Sequence, residues 1–144
     1  MIAFRGVVVA AALLGLVVPA VAQEPAPAKA ALEVELNTLA PSQKGCLFTF
    51  VAGNHLERAI SRVSFEFVIF NEKGTVERMV VLDFRDLPLG KTKVRQFDLP
   101  GTKCEAVKRL LINDAPVCEG EGLAKDACAT GLVTRSNTTA TFEG

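Results

Sequence analysis

The side chains of this 144-residue chain with most chemistry in them are four cysteines, one histidine and a short basic run. Cys46, Cys104, Cys118 and Cys128 offer redox, metal or cross-linking chemistry. No two of them stand in a C-x-x-C arrangement, and the nine residues between Cys118 and Cys128 match no redox motif with a physical rationale. His55, in Gly53-Asn54-His55-Leu56, is the only imidazole. A blue-type copper centre takes two His, a Cys and usually a Met, and zinc held by three His is equally out of reach. As a general base, His55 would need an activated nucleophile, yet no Ser lies in a G-x-S-x-G elbow or a Gly-rich anion loop. Asp83 and Asp86 flank Arg85 and read as a strand-end ion pair rather than an acid–base dyad. No catalytic residue, cofactor or metal site is expected, and the chain reads as non-enzymatic.

Lys91, Lys93 and Arg95 alternate with Thr92, Val94 and Gln96 and form a basic stripe on one strand face. Such a stripe either protects an edge strand from unwanted pairing or meets an acidic partner. The loop residues Asn54, His55 and Leu56, together with the loop spanning Cys118 and Cys128, are the second candidate contact surface.

The N-terminus sets the compartment in which the thiols are to be read. Arg5, an apolar run from Val7 to Val18, Pro19 and the small-x-small Ala20-Val21-Ala22 have the layout of a secretory signal peptide cleaved after Ala22. The run is shorter than the roughly 20 residues a helix needs to span a bilayer. The expected location is therefore periplasmic or secreted, without stable membrane insertion after cleavage, and there an even number of cysteines reads as disulfides. Removing residues 1–22 takes Arg5 from the 16 basic residues, leaving 15 against 16 acidic ones. That balance excludes the concentrated positive surface nucleic acid demands and argues against anionic lipid. Nine Phe with no Trp or Tyr argue against sugar and quaternary-ammonium sites, which lean on rings carrying a polar tip.

Residues 23–31 are an Ala/Pro linker, and period-two alternation starts at Leu32. The pattern predicts strands over 32–36, 46–52, 62–70, 76–84, 91–99, about 107–113 and 131–142. Turns carrying Gly, Pro or Asn separate them, and a loop covers 114–130. Arg62–Phe70 is apolar on both faces at its far end, as a central strand is. Seven strands at this spacing predict an all-β, immunoglobulin-like antiparallel β-sandwich over residues 32–144, stabilised by two disulfides.

Sequence alone leaves three pairings of four cysteines open, and topology selects one. If seven strands run alternately up and down, the second and sixth start at the same end, where Cys46 and Cys104 lie. Cys118 and Cys128 follow the sixth strand near the other end. The expected bonds are Cys46–Cys104 and Cys118–Cys128.

The segment from Leu47 to Leu99 carries a Phe-rich strand ending in Gly53-Asn54, an Asn71-Glu72-Lys73-Gly74 hairpin, and Leu87-Pro88-Leu89-Gly90-Lys91-Thr92 leading to Phe97. It resembles the immunoglobulin/fibronectin type III-like modules of exported bacterial proteins, FxLYD-type domains in particular. The whole chain is similar to small periplasmic proteins of alphaproteobacteria. The resemblance implies a non-catalytic module that works through protein contacts, as an accessory or assembly factor for an envelope protein partner. The alternative expectation is a small-ligand or ion carrier with a pocket between the sheets, into which Arg78 would point.

Overall fold

A computed structural model describes residues 31–144. The signal-peptide reading of 1–22 and the linker reading of 23–31 fall outside the described residues, Ala31 excepted. Eight strands form two sheets: β1 (Leu32–Pro41), β2 (Gly45–Asn54), β3 (Ile60–Phe70), β4 (Val76–Leu87), β5 (Thr92–Pro100), β6 (Arg109–Glu119), β7 (Leu132–Ser136) and β8 (Thr141–Glu143). One sheet has the order β5-β2-β1-β7, the other β4-β3-β6-β8, so β3 is a central strand. The fold is an all-β sandwich, with one more strand than the spacing predicts because the last segment, 131–142, divides at an Asn-Thr-Thr turn between β7 and β8. Pairing is antiparallel for β1–β2, β2–β5, β3–β4 and β3–β6. It is parallel where the C-terminal strands join β1 and β6.

Period-two alternation explains the core. Leu32, Val34 and Leu36 of β1, Phe48 and Phe50 of β2, and Phe65, Phe67 and Ile69 of β3 are all buried between the sheets. Phe50 is the hub. Its ring lies 5.2–6.3 Å from those of Phe48, Phe67, Phe84, Phe97 and Phe142, which come from both sheets. Each fully buried Phe contributes roughly 1.5–3 kcal/mol of transfer free energy.

Both disulfides follow the expected pairing. Cys46, near the start of β2, bonds Cys104 in a short 3-10 turn (Cys104–Ala106) before β6, and so ties the two sheets at one end. Cys118, near the end of β6, bonds Cys128 in the single helical turn α1 (Ala127–Thr130) at the other end.

Several strands run further than the alternation predicts. Ala40 and Pro41 belong to β1, after a bulge that leaves Asn37 without a partner in the register. Ala115-Pro116-Val117, expected as loop, belong to β6. The β3–β6 register shifts there, from Glu66 opposite Asp114 to Ser64 opposite Val117, which puts two residues of β6 against Phe65 alone. A proline has no N–H for the ladder, and a bulge is where a strand tolerates that loss. Val76, at the start of β4, is half exposed, where the β3–β4 register shifts between Ile69 and Phe70.

Candidate functional site

The end of the sandwich where β2 and β6 finish gathers three loops. Residues 55–59 follow β2, residues 120–131 carry the Cys118–Cys128 bridge, and the β4–β5 turn adds Gly90 and Lys91. The two predicted contact loops meet here. The 55–59 loop and the disulfide loop wall a cleft of about 260 Å3 lined by Leu56, Glu57, Arg58, Gly122, Leu123, Ala124 and Ala127. Its floor is apolar; Glu57 and Arg58 are exposed beside it.

Two glycines allow this close approach. A Cβ on Gly120 would collide with the Ala59 carbonyl oxygen, and one on Gly131 would stand 2.8 Å from Leu56 Cδ2. Backbone bonds lock the loops to the strands: His55 N–H donates to Ala31 O at 2.8 Å, and Leu32 N–H to Gly131 O at 2.7 Å. Neither glycine is marked by local sequence, because each requirement comes from a residue far away in the chain.

Asn54 does not present a contact surface. It is fully buried, since its side chain supplies the hydrogen bonds that this end needs. Nδ2 donates to Arg58 O and to Leu87 O, both at 2.9 Å, and Oδ1 accepts from Leu56 N–H at 3.0 Å. Its backbone N–H and C=O also engage Lys91 O and Gly90 N–H. Asn54 thus fixes the shape of the 55–59 loop, and the residues after it carry the exposure. His55 is exposed, and Leu56 is half-buried in the cleft wall. His55 Nε2 lies 4.0 Å from Glu33 Oε2, a carboxylate already bonded to Arg135 at 2.7 Å.

The basic stripe is not a free surface either. β5 is an edge strand, and Lys93 and Arg95 share the inward face of that strand with Phe97 and Leu99. Arg95 reaches across the open side of the sandwich. Its Nε donates to Phe84 O at 2.6 Å and its Nη2 to Asp86 O at 2.9 Å. Lys93 Nζ stands 4.0 Å from Asp86 Oδ2. Inward-pointing charge at an edge blocks strand addition, which is the protective reading of the stripe. Lys91 alone of the three is exposed, at the loop end.

From the other sheet, Arg78 of β4 donates to Pro100 O at 2.8 Å and to Thr102 Oγ1 at 3.2 Å. It closes the same open side rather than entering a cavity, and Phe rings fill the space between the sheets. Other clefts of about 420 and 250 Å3 lie beside Cys104 and beside residues 115–119 of β6. Among the described residues no three His, Cys, Asp or Glu side chains converge as a metal site. None of the described helices is long and apolar enough to cross a membrane.

Asp83 and Asp86 do not form a pair. Asp83 Oδ1 accepts the Arg85 N–H at 2.9 Å, while Oδ2 accepts from Arg62 at 3.1 Å. The Arg85 backbone bond holds the Asp83 carboxyl below its ordinary range; it outweighs the opposing desolvation, and the Arg62 bond and charge add to it. The bond also supports a left-handed backbone at Arg85, φ 61°, which is uncommon for a residue other than glycine.

No protein-family model matches the chain, and neither the curated proteins nor the solved structures hold a match to it.

Proposed function

We propose that the protein is a non-enzymatic, exported module that binds an envelope protein through its loop end. The observation that carries this reading is the convergence of the 55–59 loop and the disulfide-pinned 120–131 loop around an apolar cleft with an exposed Glu57–Arg58 rim. A rigid sandwich presenting ordered loops at one end is a common binding platform, and cross-linking a loop lowers the entropy lost on binding. The signal-like N-terminus, the two disulfides and the resemblance to FxLYD-type modules of periplasmic proteins support an oxidising compartment.

The test is co-purification from the envelope of the cells that make the protein. Glu57→Lys combined with Arg58→Glu reverses the rim without touching the buried hydrogen bonds, which use only the Arg58 backbone. A partner retained by the native protein and lost by the double variant, with unchanged thermal unfolding, supports the reading. Equal recovery by both proteins overturns it.

A further inference from the structure

We infer that the loop-end cleft takes the C-terminal residue of a partner chain, with its apolar side chain in the cleft and its carboxylate on Arg58. The inference rests on the loop end being the binding surface and names the chemistry that binds there. Arg62, Arg78, Arg95, Arg109 and Arg135 all have their guanidinium groups bonded to carboxylates, carbonyls or a hydroxyl. Among the described residues, the guanidinium groups of Arg58 and Arg85 have no such partner, and only Arg58 lines the apolar cleft.

Arg58 is held both at its base and along its length. Asn54 Nδ2 donates to Arg58 O at 2.9 Å, which fixes the backbone. The side chain lies over Gly122, with Nε and Cζ 3.5 and 3.6 Å from where a Cβ on that glycine would stand. Gly122 is bare for a reason of its own. Leu123 N–H donates to Gly120 O and closes a turn whose third residue is left-handed, φ 67°. A donor fork placed in this way matches a carboxylate through two parallel hydrogen bonds. Volume selects what carries that carboxylate. A cleft of about 260 Å3 is smaller than the roughly 300–1,000 Å3 of pockets for drug-sized ligands, and it suits one aliphatic side chain against Leu56, Leu123 and Ala127. A C-terminal residue carries such a side chain and a carboxylate on the same Cα. Glu57, exposed on the same rim, repels a second carboxylate, so a terminus with a single acid fits better than an acidic run.

The experiment is an amide chemical-shift titration of the disulfide-intact protein with the tripeptide acetyl-Ala-Ala-Leu, as the free acid and as its C-terminal amide. The acid is expected to move the Leu56, Gly122 and Leu123 amides with a dissociation constant of about 1 mM. The amide is expected to bind about 10-fold more weakly, because it offers the guanidinium no charge. Arg58→Gln, which leaves the Asn54 bond to the backbone intact, weakens the acid by the same factor and makes acid and amide equal. Arg58→Lys keeps part of the preference. Equal binding of acid and amide by the native protein, a preference that survives Arg58→Gln, or no shift with either peptide would each overturn the proposal. Decanoate binding at least as tightly as the peptide acid would put an acyl chain in the cleft and overturn it too. Shifts at these amides that follow protein concentration alone would do the same by putting a second copy there. If the Glu57→Lys, Arg58→Glu variant loses the envelope partner while acid and amide bind alike, the loop end stands as the interface and the terminus is rejected. If that variant keeps the partner, the interface falls and the terminus with it.

Discussion

Replacing Asn54 tests whether one buried amide holds the loop end together. Asn54→Ala removes three side-chain hydrogen bonds and leaves the Arg58 and Leu87 carbonyls and the Leu56 N–H without their partner. Each bond has a net worth of about 1 kcal/mol, and each buried group left unpaired costs roughly 1–3 kcal/mol in place of that gain. Because the Arg58 and Leu56 groups lie near solvent and recover water, the expected loss is about 3–4 kcal/mol.

Asn54→Asp discriminates hydrogen-bond donation from mere volume. The carboxylate accepts from Leu56 N–H but faces two carbonyl oxygens with no donor, so its deficit at neutral pH is at least that of the alanine variant. Those carbonyls raise the folded-state pKa of the new carboxyl above its unfolded value of about 3.9. Protonation is thus favoured in the folded state, and the deficit shrinks as pH falls from the folded pKa toward the unfolded one. Urea unfolding followed by far-UV circular dichroism is the assay, since the chain has no Trp or Tyr for fluorescence. A loss below about 1 kcal/mol for Asn54→Ala would refute the reasoning, being no more than one ordinary hydrogen bond. So would an Asn54→Asp deficit that is flat with pH.

The remaining predictions use the same unfolding assay. Arg95→Ala uncaps the Phe84 and Asp86 carbonyls and is expected to cost about 1–2 kcal/mol; Arg95→Lys recovers at most part of it, because an ammonium cannot reproduce the planar fork. Loss of Cys46–Cys104, 58 residues apart, costs on the order of 4 kcal/mol in the chain-entropy model, against roughly 3 kcal/mol for Cys118–Cys128, 10 apart. Paired Cys→Ser variants showing the reverse order would contradict that assignment of loop entropies. Asp83 has a lowered folded pKa, so its contribution is present above its unfolded pKa and is lost as pH falls through the folded one. Asp83→Asn is therefore expected to flatten the acid limb of the stability profile, with a small effect because the carboxylate is exposed.

The strands were legible because one face of each is buried and period-two alternation reports that directly, as in Val34, Phe50 and Phe67. The disulfide pairing was legible because strand direction fixes which end each cysteine occupies. Pro116 misled because a proline reads as a break, while the bulge that accommodates it is a property of the β3–β6 register. Asn54 reads as a turn residue from its place after Gly53, and nothing local shows that the distant Leu87 carbonyl needs its amide. Lys93 and Arg95 read as exposed because the alternation does not tell which face of an edge strand is inward. Of the contact loops, the sequence carries their positions in the chain; the closure of Gly120 on Ala59 and Gly131 on Leu56 is tertiary.

Site-specific photo-crosslinking in the envelope tests the central claim most directly. A photoreactive residue at Glu57, on the rim of the loop-end cleft, is expected to give one discrete adduct with another envelope protein. The same residue at Lys44, exposed at the Cys46–Cys104 end, is expected to give none. Adducts of equal yield from both positions, or from Lys44 alone, would contradict a protein whose binding surface is its disulfide-pinned loop end.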